Sequence, residues 1–344
     1  MHTIINLPTD GAVREAAKLL QNGEVVAFPT ETVYGLGANA LDGQAVRKIF
    51  AVKGRPADNP LIVHVASPEA AEPLCHVSRE ARLLMARFWP GPLTLLLPKK
   101  DVIPAVTNAG LPSVAVRMPD HPVALKLLNA CGVPVAAPSA NRSGRPSPTT
   151  AQHVLEDLDG AIPMILDGGE CKVGLESTVL DLTGPHPAIV RPGYVTMEML
   201  SAELPGVQVA DSAMRPLRKD ETAVSPGMRH RHYAPKGELT LVGGEADRVE
   251  AACKRLYREA EECGERACLL IAHERRAAYE GFNTYILGSL SEPETIAHAL
   301  FTALRRMDEL GVGVILCEMM GTSGIGLAIM NRLYRAASFR VIQA

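Results

Sequence analysis

PMILDGGECKVGLESTVLDLTGPHPAIVR, residues 163–191, holds three apolar runs in quick succession: PMIL (163–166), STVLDL (177–182) and AIVR (188–191). Gaps this short, rich in Gly and Pro, are hairpin lengths rather than crossover lengths. Upstream the spacing changes. PVAA (134–137) is separated from PMIL by a helix expected over about 150–158, and SVAVR (113–117) from PVAA by a helix over 121–131. Crossover and hairpin spacings in one segment predict an α/β domain with a twisted, mixed sheet.

The same reading extends to the N-terminus. Strands are expected at His2–Asn6, EVVAF (24–28), LIVHV (61–65) and LTLLL (93–97). Helices are expected at 11–21, capped by Asp10, at 42–52 after a long loop, near 68–74 and at 79–88. Beyond residue 237 the alternation is regular. Strands ELTLV, CLLIA (268–272), TYIL (284–287), VGVILCE (312–318) and 339–342 interleave with helices at 246–262, 293–310 and 326–337. That pattern predicts a smaller C-terminal Rossmann-like α/β domain.

Proline divides the chain in the same places. Of 26 prolines, 21 lie in residues 1–204, four in 205–236 and only Pro293 later. Residues 205–236 show no period, so the expected organisation is a domain over 1–204, a linker or lid over 205–236, and a domain over 237–344. A structureless run of that length is a candidate functional lid. It is also the only net basic stretch, with six basic and three acidic residues, against 17 and 20 before it and 12 and 15 after it.

Composition excludes several classes. The 344 residues are 47% hydrophobic and 21% charged, which requires a packed core. A net charge of -3 argues against electrostatic coating of nucleic acid. With 4% aromatic residues and the single Trp89, a base-stacking platform is not expected. Seven cysteines without a CxxC pair read as reduced core thiols, and no zinc site is expected. The N-terminus lacks signal-peptide features and no apolar run reaches a bilayer-spanning length, so the expected location is the cytoplasm.

Gly321-Thr-Ser-Gly324-Ile-Gly326 follows a strand and opens a helix, as a dinucleotide motif would. The 18 residues after Gly326 contain no Asp or Glu to hold a ribose, so it reads as a structural glycine turn. No P-loop motif occurs.

The polar motifs crowd into the first 204 residues. PTETVYGLG (29–37) sets Thr30, Thr32 and Tyr34 among flexible backbone positions at a strand end, which a plain turn does not require. In KGRP (53–56), Lys53 and Arg55 either complement a helix dipole or, with Asp58-Asn59-Pro60, build an anion site in which Arg55 presents a planar fork. His64 shares a strand face with Ile62 and is either a satisfied core histidine or a ligand contact. Arg117 ends an apolar strand and needs a carboxylate partner, from the protein or a substrate. PVAAPSANRSGRPSPT (134–149) empties a buried strand into Ser139, Asn141, Ser143 and Ser147 beside Arg142 and Arg145, a set suited to phosphate and ribose oxygens. GLESTVLDL and IVRPG add Ser177 and Arg191.

Nucleophilic machinery is missing: there is no GxSxG, no plausible Ser-His-Asp order, and the lone acids Glu31, Asp58 and Glu176 form no catalytic pair. Cations and hydroxyls with few acids suit a triphosphate and a small carboxylate, with catalysis by positioning and charge stabilisation.

PTETVYGLG, KGRP, NPLIVHV, WPGPLT, VAVRMPDHP, APSANRSGRPSPT, ESTVLDL and VRPG, in this order and spacing, resemble the YrdC-like domain of L-threonylcarbamoyladenylate synthases. SPGMRHRHYAP (225–235) and the domain after it resemble the long, two-domain form; Ser113 stands where threonine is also common. The resemblance implies synthesis of threonylcarbamoyl-AMP from L-threonine, bicarbonate and ATP with release of pyrophosphate. A separate threonylcarbamoyl transferase would take the product to tRNA, beside the anticodon, so direct tRNA binding is not required.

It implies that Thr32, His64, Arg117 and Ser177 hold threonine, with Arg117 on the carboxylate. ATP would lie near Lys53, Arg55, Asn59, Ser113, Ala137, Ser139, Asn141, Ser147 and Arg191, with Arg229, His232 and Tyr233 of the linker closing over it. Lys53 and Arg55 are the expected catalytic residues. Mg2+ would be held by ATP and water rather than by a protein metal site. The opposing reading is an RNA-binding or ribosome-assembly module without chemistry. Carbamoyl transfer from carbamoyl phosphate lacks a matching motif. Steadying the lid, dimerising and handing over the product are all open to the C-terminal domain.

Overall fold

The computed structural model describes residues 2–218, 221, 223–224 and 232–344. The chain divides into two compact units, Met1–Ser143 with Ser147–Arg229, and Gly144–Pro146 with His230–Ala344. Among the described residues no helix is long and apolar enough to cross a membrane.

The first unit begins β1 (Ile4–Asn6), α1 (Asp10–Gln21), β2 (Val26–Phe28), β3 (Gly35–Asn39), α2 (Gly43–Lys53) and β4 (Ile62–His64). It continues through α3 (Arg79–Phe88), β5 (Leu93–Pro98), β6 (Ser113–Arg117), α4 (Pro122–Cys131), β7 (Val135–Ala137) and α5 (Ala151–Leu158). It closes with β8 (Met164–Leu166), β9 (Thr178–Asp181), β10 (Ala188–Arg191), α6 (Met197–Glu203) and β11 (Gln208–Val209). The strands form one sheet ordered β1-β8-β2-β3-β7-β4-β6-β5-β9-β10-β11. Pairing is mixed, as expected: β4 runs parallel to β6 and β5 to β9, whereas β3, β7 and β10 make antiparallel pairs. Of the two short gaps in residues 163–191, however, only that between β9 and β10 is a hairpin; β8 lies between β1 and β2, parallel to both, away from β9.

Strand alternation sorts the core. Val63, Val114, Val116, Leu93, Leu95 and Leu97 face the largest apolar cluster. On the other face Val26, Phe28, Val135 and Ala137 pack with residues of α1 and α4. Farther along that second face, Ile62, Leu96 and Ala115 meet Val224, and Val179 and Val190 meet Ala223. His64 and Arg117, two residues beyond Ile62 and Ala115, therefore lie on the second face too.

Four local expectations change. Thr9, not Asp10, caps α1: its hydroxyl accepts from Ala12 N at 3.2 Å, and Asp10 is the first helical residue. The long loop after EVVAF contains β3, whose glycines hide the usual alternation. They are there for close approach, because a Cβ on Gly37 would come within 2.7 Å of Val135 and 2.9 Å of Phe28. The segment near 68–74 forms only a 3-10 turn, Glu69–Ala71, and α6 adds a short helix before the linker. The expected linker is not structureless, since β11 extends the sheet edge and Leu217, Ala223 and Val224 pack on it.

The second unit holds β12 (Glu238–Gly243), α7 (Ala246–Glu262), β13 (Ala267–Ala272), β14 (Thr284–Gly288), α8 (Pro293–Glu309), β15 (Val314–Glu318), α9 (Gly326–Ala336) and β16 (Val341–Gln343). Its sheet, β14-β13-β15-β12-β16, is parallel in every pair, which requires helical crossovers. Val249, Cys253 and Tyr257 of α7 pack on Leu269, Ile271 and Leu316. Gly326 opens α9 against the Gly321 carbonyl, where a Cβ would approach to 2.2 Å, so these glycines form a close turn. Six cysteines are buried, as read from the sequence, but Cys263 beside the end of α7 is exposed; all seven are free.

Candidate functional site

The turn after β2 is tied by its own hydroxyls. Thr30 Oγ1 accepts from the Thr32 and Val33 amides at 3.2 Å and donates to the Val33 carbonyl at 2.6 Å. Tyr34, fully buried, anchors the far side by donating to the Gly169 carbonyl at 2.8 Å and accepting from Gly168 N at 3.2 Å. Burial pushes the Tyr34 phenol pKa well above its ordinary value, so it remains a hydrogen-bond donor.

Arg117 NH1 donates to Thr32 Oγ1 at 3.0 Å, and its Nε to the Gly91 carbonyl at 3.2 Å. Its NH2 lies 2.6 Å from Glu31 Oε1, with both side chains about 95% buried. His64 is the register partner of Arg117 on the adjacent parallel strand, and its ring stands edge-on to Phe28 with centroids 6.0 Å apart. Burial, reinforced by the Arg117 charge, pushes the His64 pKa down to about 3, so the imidazole is neutral near pH 7.

Ser177 forms a second knot. Its hydroxyl is 2.7 Å from Thr94 Oγ1 and accepts from Arg191 NH2 at 3.0 Å, while Arg191 Nε donates to the Ser177 carbonyl at 3.0 Å. Gly193 permits the approach, since a Cβ there would lie 2.3 Å from Thr178 N.

The loop after β7 forms the third. Lys53, the last residue of α2, sends its buried ammonium to the carbonyls of Ser139, at 2.5 Å, and Asn141. Ser139 Oγ donates to Asn141 Oδ1 at 2.5 Å, and the Ser143 amide donates to the Lys53 carbonyl at 2.9 Å. Ser147 Oγ donates to the buried Glu176 carboxylate. Arg55 curls back over the next turn, reaching the Asn59 carbonyl at 3.4 Å and that of Pro60 at 3.2 Å. Asn59 itself is buried.

Thus the structure joins Arg117 to Thr32 with His64 alongside, Ser177 to Arg191, Lys53 to Ser139 and Asn141, and Arg55 to Asn59. Ala137, Ile62 and Ala115 lie in one row across three strands, and Ser113 shares the Arg117 face. Arg229 lies outside the described residues. His232 and Tyr233 belong to the second unit, where the Tyr233 ring packs 5.1 Å from Phe301 and Arg332 sits 5.7 Å over it. Sequence reasoning assigned no role to Gly91 or Thr94, although both lie in WPGPLT, or to Gly193 of VRPG. It treated Glu31 as a lone acid because its partner is 86 positions away in the chain.

Among known proteins, the Sua5-YciO-YrdC family model, whose description is telomere recombination, matches residues 18–193. The model for the C-terminal domain of threonylcarbamoyl-AMP synthase matches residues 195–338. The chain is 48% identical to threonylcarbamoyl-AMP synthase of Pyrococcus abyssi, over 96% of this chain and 95% of that one. With the Bacillus subtilis enzyme of the same name it shares 47% over 97% and 95%. The crystal structure of Pyrococcus abyssi Sua5 complexed with L-threonine superposes with a TM-score of 0.92 at 46% identity, covering 100% of this chain and 99% of that one.

Proposed function

The chain belongs to the Sua5-YciO-YrdC family in its two-domain, threonylcarbamoyl-AMP synthase form, and on that premise we propose that it makes threonylcarbamoyl-AMP from L-threonine, bicarbonate and ATP. Pyrophosphate is the other product, and a separate transferase carries the threonylcarbamoyl group to tRNA beside the anticodon. The observation that carries this reading is the buried Arg117, tied to Thr32 and flanked by the neutral His64, on a sheet face that also holds Ala115 and Ser113. A guanidinium there suits one small carboxylate, and a neutral imidazole suits a hydroxyl.

The threonine amine, once it has lost its ammonium proton to solvent, adds to CO2 with release of a second proton, or to bicarbonate with loss of water, to give a carbamate whose oxygen attacks the α-phosphorus as pyrophosphate leaves. Lys53, Arg55 and Arg191 supply positive charge for the phosphates. Lys53 also holds the Ser139–Asn141 backbone in place, so its contribution includes shaping the loop that meets the nucleotide. Among the described residues no three His, Cys, Asp or Glu side chains gather as a metal site. Glu31 and Glu176 lie against Arg117 and Ser147, and a Mg2+ ion would enter as a companion of ATP. When bound it withdraws charge from the phosphates. The alternative of an RNA-binding module without catalysis is not favoured, given full-length relatives that are synthases.

Pyrophosphate release measured with ATP should require L-threonine and bicarbonate together; release independent of either would overturn the assignment. Arg55→Ala should lower kcat by about a hundredfold, the usual scale for losing one charge-stabilising group, while the KM for threonine changes little. Unchanged kcat would remove Arg55 from the catalytic set.

A further inference from the structure

Three buried polar groups, two on the second sheet face and one in the turn after β2, have hydrogen-bonding capacity that the described residues leave unused: Arg117 NH2, His64 Nδ1 and both carboxylate oxygens of Glu31. Arg117 NH2 and Glu31 Oε1 are close, at 2.6 Å, yet no directed hydrogen bond joins them. The other guanidinium nitrogens are used, on Gly91 O and Thr32 Oγ1. A buried charged pair left half satisfied is costly, and such groups persist where a ligand completes them.

What is left over has a definite chemistry: a cationic donor beside two anionic acceptors. That is the complement of an α-amino acid zwitterion, whose carboxylate accepts and whose ammonium donates. We propose that Glu31 holds the substrate's ammonium group while Arg117 holds its carboxylate, so that the pair selects an amino acid over the corresponding deaminated acid. The assignment rests on the reading of L-threonine as substrate and adds a residue to it.

Electrostatics gives the same answer. The charge facing Glu31 most closely is that of Arg117. His121, which also feels Glu31, is held towards its neutral form by its own burial. A substrate carboxylate that drew on Arg117 alone would leave the buried Glu31 undercompensated, a penalty of the kind incurred when one partner of a buried ion pair is lost. An ammonium arriving on the same molecule restores neutrality, whereas a deaminated acid does not. The turn that presents Glu31 is already fixed, by the Thr30 hydroxyl bonds on one side and by Val173 N donating to the Glu31 carbonyl at 2.8 Å on the other. Little ordering is therefore needed on binding. His64 Nδ1, next to Arg117 in register, is left for the substrate hydroxyl.

The test is calorimetric binding of L-threonine and of (R)-3-hydroxybutanoate, which keeps the carboxylate and hydroxyl but lacks the amine, to the full chain and to Glu31→Gln. The wild type should bind L-threonine at least about tenfold more tightly than the hydroxy acid, and Glu31→Gln should abolish that preference by weakening threonine alone. Equal loss for both ligands would mean that Glu31 merely orients Arg117, and no loss for either would leave it without a role; both results overturn the assignment. Equal wild-type affinities overturn it without any variant, so a poorly folding Glu31→Gln does not protect it. Absence of threonine-dependent pyrophosphate release from the wild type would instead overturn the functional reading, and this assignment with it.

Discussion

Arg117 and His64 show how burial sets the chemistry of a single side chain. An arginine at a strand end reads from the sequence as needing a carboxylate, and the structure supplies Glu31, Thr32 and Gly91 O as its surroundings. For His64 the two sequence readings, core residue or ligand contact, merge: it is buried, yet its Nδ1 has no hydrogen bond among the described residues. Its lowered pKa has a consequence for stability. Between its ordinary 6.5 and about 3 the unfolded chain binds a proton at this residue that the folded chain does not, so its effect is to raise stability with pH across that window and level off above it. Urea unfolding of His64→Gln against the wild type should show that slope reduced by up to about 1.4 kcal/mol per pH unit, the full weight of one proton. An unchanged slope would mean that His64 titrates alike in both states.

At the scale of elements, the glycines and prolines decide what a strand can present. β3 was illegible as a strand because Gly35 and Gly37 occupy positions where alternation would place larger side chains, and only the packing of Phe28 and Val135 explains them. VRPG is a similar case after β10, where Gly193 lies directly against the backbone of Ser177 and Thr178. Gly193→Ala must push those strands apart and disturb the bonds between Ser177 and Arg191. It should cost about 1–3 kcal/mol in denaturant unfolding, the range for an overpacked site, and reduce threonine-dependent turnover. Wild-type stability together with wild-type turnover would show that the close approach is not needed. The helix spans were readable to within a residue but their caps were not: α2 runs Gly43–Lys53 between Asp42 and the left-handed Gly54, α5 runs Ala151–Leu158 after Thr150, and the one cap expected, Asp10, gives way to Thr9.

At the scale of the whole molecule, the uneven prolines predict a division into domains over 1–204 and 237–344, whereas the two compact units divide between Arg229 and His230 and the second also includes Gly144–Pro146. The linker was not read fully. Ala223 packs against Val179 and Val190, and Val224 against Ile62, Leu96 and Ala115, so part of the presumed tether is a cover for the first unit's sheet. A chain ended after residue 204 exposes that surface, whereas one ended after residue 224 keeps it covered. The longer fragment should be more stable by a few kcal/mol, from about 1–2 kcal/mol per buried aliphatic side chain, as thermal unfolding of the two fragments would show. Equal melting temperatures would remove the cover from the account. The sequence by itself determined the α/β class and most of the helices and strands, because periodicity and turn residues act over a few positions. The tertiary structure alone decided that β3 is a strand, that part of the linker is core, and that Glu31 belongs with Arg117. Those outcomes depend on contacts between residues far apart in the chain, where close packing and the cost of burying charge, rather than local preference, select the partner.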